Sequence, residues 1–474
     1  MKQSERRLLS AIAIIACIAF GACHQQPRMI DPSDISYPPL SFQPPPTSRS
    51  VLENGMVLHF LEDSELPMVN LTIAVHTGSA FDPSEKEGLA ELTGTVMRTG
   101  GAGVQSGGEI DEEIDFMAAD LTVSVNREIT SFRLSVNVKD LNRSLAILSD
   151  IIRHPRFEND KFSTAQALKI EGLKRIIDNS QKLAFREFIR RIYDNDPRGR
   201  IPTIASIQKI TPEDCRVFHR DFFRPGNMMV SFSGPLNMVQ ALASLNHAFG
   251  KWKNSVVPEN KLPAPQPHRE RRIYFIPKSS PQSVIVVGWI VPGKNDVEHH
   301  AIETLDFTYG SGGFRSRIFS EIRNRRGLAY SAGSFYSARS DFGVIAAYAM
   351  TNPAATTEVL SLILSIGEDL RNGTITSEEI VWTRKSLVNS FIFSFNTPET
   401  SVYQEMLLEF EGIRKDYLRG YTSKIDLVAG DAVTAAARRY IDPSVATILV
   451  LGPGEKIERS LSGFGQVVTV NITN

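Results

Sequence analysis

Few residues in this chain combine the type and spacing that chemistry needs. In Glu298-His299-His300-Ala301-Ile302-Glu303, His299 and Glu303 stand four apart, a spacing that puts two metal-ligating side chains on one face of a helix. A third ligand is not apparent there, and no bound metal is expected for this chain. Arg323 and Tyr330 stand seven apart on either side of Gly327. A helix from about Phe314 to Arg326, ended by Gly327 as a C-cap glycine and followed by a strand from Leu328, turns both toward a common side. From spacing alone they read as a helix-end cation and a strand aromatic. His59, His76, His219 and His247 stand alone, the usual setting of structural histidines. Gly100-Gly101-Ala102-Gly103 and Gly107-Gly108 lack the strand and the Lys-Ser/Thr that a phosphate cradle requires, and read as loop.

The elements that carry these residues fall into two halves. The chain has 474 residues, 42% of them hydrophobic, enough for more than one core. With 52 basic and 53 acidic residues the net charge is −1, and nothing recommends a nucleic acid as partner. Lys2, Arg6 and Arg7 precede an apolar run from Leu8 to Phe20 and then Gly21-Ala22-Cys23, the order of an export signal. Cys23 after Gly21-Ala22 resembles a bacterial lipobox, whose cysteine is lipidated and becomes the first mature residue. His24 in the second mature position favours the outer membrane. Cleavage there leaves Cys23 and Cys215 of three cysteines, and no structural disulfide follows.

The expected boundaries are a signal peptide over 1–22, a Pro-rich tether over 23–50, one domain over 51–256, a Pro-rich linker over 257–270 and a second domain over 271–474. The two domains read as diverged repeats. One opens with the strand Val69 to Val75, the other with Ser283 to Trp289. Each closes alike, with Pro225 to Gly234 in one and Pro443 to Gly452 in the other, at the same offset of 218 residues (443 − 225 and 452 − 234). Amphipathic helices are expected at Leu141 to Ile152, Asp160 to Ile177, Thr356 to Arg371 and Ser377 to Ser394, and strands at Thr130 to Asn137 and Gly343 to Ala349. The fold class is therefore α+β: two homologous domains, each a mostly antiparallel sheet with helices packed on one face.

Two segments carry a resemblance. Gly88-Leu89-Ala90-Glu91-Leu92-Thr93-Gly94-Thr95 and the stretch from Gly310 through Arg323 to Gly327-Leu328-Ala329-Tyr330-Ser331 resemble the insulinase, pitrilysin and mitochondrial processing peptidase family of inverted-motif zinc peptidases. Its signature is Gly-Leu-Ala-His-x-x-Glu-His on a helix. This chain keeps the lead-in and then departs, with Glu91, Gly94 and Thr95 where the family has its first His, its catalytic Glu and its second His. Gly94 and Thr95 are not usual zinc ligands, and the general base is lost with the Glu. A further family ligand, a Glu on a later helix, falls near Glu171.

The second segment implies more. In the family the Arg/Tyr pair faces the zinc site of an opposing domain, where a guanidinium grips substrate and a phenol hydrogen-bonds the oxyanion. The resemblance thus implies a non-catalytic subunit, inactive alone, that lends Arg323 and Tyr330 to the active site of a zinc-motif homologue in a heterodimer. The zinc belongs to that partner, and no cofactor is expected on this chain. Peptide substrates pairing with an exposed sheet edge are expected, as is a periplasmic location anchored to the outer membrane through lipidated Cys23. Two alternatives follow from the same residues: a degenerate peptidase serving as a binding or assembly scaffold, and an autonomous zinc peptidase using Glu91 and Glu171.

Overall fold

The computed structural model describes residues 42–254 and 262–472. The signal segment, Cys23, most of the Pro-rich tether and residues 255–261, which take in the last two positions before the linker and its start, lie outside the described residues.

Two six-stranded sheets are built on one plan. The first contains β1 (Ser48–Val51), β2 (Val57–Glu62), β3 (Met68–Val75), β4 (Asp120–Val125), β5 (Thr130–Asn137) and β6 (Met228–Gly234), in spatial order β1-β2-β6-β3-β5-β4. The second contains β7 (Arg272–Pro277), β8 (Ser283–Pro292), β9 (Ala329–Ala338), β10 (Phe342–Thr351), β11 (Thr447–Gly452) and β12 (Val467–Thr469), in order β12-β7-β11-β8-β10-β9. Strand for strand, β7, β11, β8, β10 and β9 repeat β2, β6, β3, β5 and β4. The central parallel pair recurs as well, β2 with β6 and β7 with β11. The α+β class and the duplication read from the sequence hold in this topology.

Alternation along the strands assigns the faces. In β3, Val69, Leu71, Ile73 and Val75 pack into one core with Leu89 and Val96, Leu145 and Leu148, and Leu245 and Phe249, which come from the helices Leu89–Thr99, Leu141–Arg153 and Met238–Phe249. In β8, Ile285, Val287, Trp289 and Val291 do the same with Ile302, Val359, Ile363 and Val433.

The opposite face of each sheet takes one helix from the other half of the chain. Helix Ser180–Tyr193 buries Leu183, Ala184, Phe188 and Ile192 against Val284, Val286, Leu449 and Leu451 of the second sheet. Helix Pro398–Phe410 returns the favour, with Met406 and Phe410 against Ala74 and Ile129 of the first. Each fully buried Phe or Leu of this kind contributes about 1.5–3 kcal/mol, so the exchange ties the lobes together. Gly288 permits one side of it: a Cβ there would lie 2.6 Å from the Phe188 ring and 2.9 Å from the Ala346 methyl. On the other side, Arg49 grips Glu409 with two bonds of 2.7 Å, His59 adds a third at 3.1 Å, and His76 stacks on Phe410 at 3.5 Å. Two of the lone histidines thus prove to be packing and hydrogen-bonding residues at the lobe junction. Among the described residues no helix is long and apolar enough to cross a membrane.

Candidate functional site

The motif helix, Leu89–Thr99, follows β3, and its first turn is held by Asp82. That carboxylate accepts the Gly88 and Ala90 amides at 2.7 and 2.8 Å, satisfying donors that every helix N-terminus leaves open. Asp82 is buried, and burial pushes its carboxyl up to about 7.

Each of the three degenerate positions has found another use. Glu91 receives the Lys169 ammonium in an ion pair. At Gly94 the helix lies against β4, where a Cβ would stand 2.7 Å from Val125 Cγ2 and 3.3 Å from Val123 Cγ1. The hydroxyl of Thr95 donates back to the Glu91 carbonyl at 2.8 Å, a local bond that satisfies it within its own helix. Glu171 is exposed and pairs with Arg175 at 3.0 Å on its own helix, Asn159–Ile176. Lys169, two residues earlier, is the one that faces Glu91. The donor set therefore does not fit the family's zinc: where a ligand or base is needed there is glycine, and valine methyls occupy the space beside it.

The Arg/Tyr segment is arranged differently. Residues Phe319–Arg325 form a π-helical turn, the wide form often found at functional positions. It ends where Gly327, at φ +63°, donates to the Arg323 carbonyl and Leu328 to the Ile322 carbonyl. The sequence called for an ordinary helix to Arg326, but the Gly327 stop is where it was expected. The strand β9 then starts with a bulge: Ala329 pairs Thr351 and Ser331 pairs Met350, leaving Tyr330 as the extra residue. A bulge re-aims a side chain, and the Tyr330 ring comes out 78% exposed.

The two irregularities bring the pair together. The Arg323 guanidinium lies 4.6 Å from the Tyr330 ring centroid and 4.7 Å from that of Phe319, held between two aromatic faces. Its neighbours are all engaged with carboxylates: Arg315 with Glu378, Arg317 with Glu379, Arg325 with Glu321, and Arg326 with Glu321 and Glu358. Among the described residues no carboxylate lies within 4.0 Å of Arg323. Its donors are oriented by aromatic rings and left for something else to accept.

Two duplicated lobes, a helix at the zinc-motif position with its ligands replaced, and an oriented Arg/Tyr pair in the second lobe define a peptidase homologue. Residues 59–201 match the model for insulinase (peptidase family M16), and residues 209–387 match that for the peptidase M16 inactive domain. The chain belongs to the M16, or insulinase, peptidase family. An uncharacterised zinc protease of Rickettsia felis is 26% identical over 305 residues, 64% of this chain and 73% of that protein. One of Bacillus subtilis is 20% identical over 411 residues, 86% of this chain and 98% of that one. Among solved structures, a peptidase M16 inactive domain from Pseudomonas fluorescens superposes with a TM-score of 0.79 at 22% identity, covering 86% of this chain and 98% of its own. That likeness is one of fold.

Sequence reasoning singled out Glu91, Gly94, Thr95, Arg323 and Tyr330. It missed Lys169, Val125 and Phe319, whose roles depend on which strand or helix lies opposite. Cys23 lies outside the described residues.

Proposed function

We propose that this chain is the non-catalytic subunit of a heterodimeric zinc peptidase, exported and anchored to the outer membrane through Cys23. A zinc-motif homologue supplies the metal, its ligands and the general base. This chain supplies Arg323 to hold the peptide substrate and Tyr330 to donate a hydrogen bond to the oxyanion as the tetrahedral intermediate forms. The observation that carries this reading is the arginine held between Phe319 and Tyr330 without a carboxylate, beside a highly exposed phenol. Keeping an uncompensated cation and an exposed aromatic in one place is a signature of recognition surfaces. Tyr330 stands on β9, an edge strand of its sheet, and an extended peptide can add to such an edge.

A second reading, an assembly scaffold without a part in catalysis, draws support from the motif helix, whose valine-filled Gly94 position favours packing over chemistry. Peptide hydrolysis separates the two. The chain is purified, mixed with a co-encoded zinc-motif homologue, and assayed alone and together. Activity only in the mixture, lost in Arg323→Ala and Tyr330→Phe while the pair still co-purifies, supports the subunit reading. Unchanged hydrolysis in both variants supports the scaffold.

A further inference from the structure

The second lobe holds a cluster outside the Arg/Tyr pair. Helix His299–Asp306 follows β8 as the motif helix follows β3, and it carries His299 and His300 at its start and Glu303 one turn on. Among the described residues this is the one group of three His, Cys, Asp or Glu side chains whose ligand atoms lie within 4.8 Å of one another. Sequence spacing paired His299 with Glu303 and found no third ligand. The structure brings in His300.

Hydrogen bonds around the cluster aim its lone pairs. Tyr336 donates its single hydroxyl proton to the Pro292 carbonyl at 2.6 Å. Its oxygen must then accept from His299 Nδ1, 3.0 Å away, which assigns the proton of that ring to Nδ1 and makes Nε2 the acceptor, with the Tyr417 hydroxyl 2.8 Å from it. Tyr421 donates to Glu303 Oε1 at 2.7 Å, which fixes the carboxylate and leaves Oε2 facing the histidines. Glu303 Oε2 lies 3.7 Å from His299 Nε2 and 3.8 Å from His300 Nδ1. His300 is held by stacking on Tyr417 and edge contact with Tyr421. Both its ring nitrogens and Glu303 Oε2 are buried with no hydrogen-bond partner among the described residues. Buried polar atoms are nearly always satisfied, and three orphans in one cluster call for a ligand.

We propose that His299 Nε2, His300 Nδ1 and Glu303 Oε2 bind one divalent first-row transition metal ion of the zinc class. Two imidazoles and a carboxylate are a zinc ligand set, and bonds of 2.0–2.2 Å in tetrahedral array separate ligand atoms by about 3.3–3.5 Å. The cluster needs to close by a few tenths of an ångström along its two carboxylate edges, and the two imidazole nitrogens, within 4.8 Å of each other, must draw to the same spacing. Tyr336 and Tyr421 supply the outer hydrogen bonds that metal-ligating His and Glu ordinarily have. The fourth position falls to water or to the Tyr417 hydroxyl, which donates to His299 Nε2 at 2.8 Å when no metal takes that lone pair. The site is independent of any partner subunit and of the degenerate motif in the first lobe.

The test uses the purified chain without an affinity tag, loaded with Zn²⁺ or Co²⁺, dialysed and analysed for metal content. One ion per chain is expected, with the visible ligand-field bands of tetrahedral cobalt. Glu303→Gln keeps an acceptor for Tyr421, and His300→Phe keeps the ring packing. Each is expected to weaken binding by at least about 100-fold, the upper end of what loss of an outer-shell partner costs, while Glu91→Gln in the other lobe leaves it unchanged. A wild-type chain that retains no metal overturns the proposal, as does binding that persists in both variants. Should a variant fail to fold, the wild-type cobalt spectrum still decides: octahedral bands or none exclude this ligand set.

Discussion

The motif helix of the first lobe and its counterpart in the second occupy the same place in the same topology, yet their polar groups have opposite fates. In the first lobe Glu91 is neutralised by Lys169, Thr95 bonds its own backbone, and Gly94 gives its space to Val125. In the second, Arg323 is held between rings without a carboxylate, and His300 and one oxygen of Glu303 are left unpaired. An unsatisfied buried polar atom costs about 1–3 kcal/mol. At the three replaced motif positions that cost is avoided, whereas His300 and Glu303 carry it. The difference teaches that the replaced motif positions are packed and paired within the fold, while the second lobe leaves Arg323 without a carboxylate and His300 and Glu303 with unpaired atoms.

The largest effect that sharpens this contrast lies at the Arg/Tyr pair. Tyr330→Phe is expected to lower the kcat of the assembled peptidase by roughly 10²–10³-fold, the cost of one oxyanion donor, with no change in the urea midpoint of the chain. Loss of folding stability without a selective loss of kcat would make the pair structural and erase the contrast.

Next comes the packing at Gly94. Gly94→Ala forces a methyl against Val125 and is expected to destabilise the chain by about 1–3 kcal/mol, as overpacking does. Val125→Ala in the same chain should recover part of that loss, and a double-mutant cycle in urea measures the coupling. Additive effects would mean that Val125 does not fill the space. The converse graft makes the same point: restoring Glu91→His, Gly94→Glu and Thr95→His together should give a less stable chain that gains no zinc beyond the wild-type content, read by metal analysis after dialysis.

A smaller effect follows from Asp82, which anchors the motif helix. Its folded carboxyl stands at about 7 against 3.8 unfolded. Between those values the folded chain holds a proton that the unfolded chain has released, so this group's stabilisation is complete below the unfolded value and is lost as pH rises through about 7. Asp82→Asn, which still accepts the helix amides, should gain stability relative to wild type as pH rises across that interval, followed by urea midpoints. A difference that does not change with pH would place Asp82 outside the titrating groups. The smallest effect is at Glu171: removing an exposed carboxylate paired within its own helix should change stability by less than about 0.5 kcal/mol and leave hydrolysis unaltered. A large loss there would revive a ligand role.

Much of the fold was legible because it is written in local periodicity. The strand Thr130–Asn137 and the helix Thr356–Arg371 lie where alternation and 3.6-residue spacing put them, and the common offset of 218 residues marks strands β6 and β11 that hold equivalent places in their sheets. The substitutions at Glu91, Gly94 and Thr95 were equally plain, since the absence of an imidazole or a carboxylate is a property of the residue itself. The exchange of helices Ser180–Tyr193 and Pro398–Phe410 between the lobes was not legible, because an amphipathic helix states that it will bury a face and not which sheet receives it. The π turn and the bulge at Tyr330 also escaped, since both depend on how the segment meets β10.

The sequence by itself thus determined the duplicated α+β architecture, the family and the loss of the zinc ligands, all carried by residue identity and short-range pattern. Only the tertiary structure decided what replaced the ligands, how Arg323 came to lie on Tyr330, and that His300 joins His299 and Glu303. Those outcomes rest on contacts such as Val125 with Gly94, or Tyr417 and Tyr421 with the histidine helix, between residues 31 to more than 100 positions apart. Such contacts exist only once the chain has collapsed around its two cores, and no local pattern encodes them.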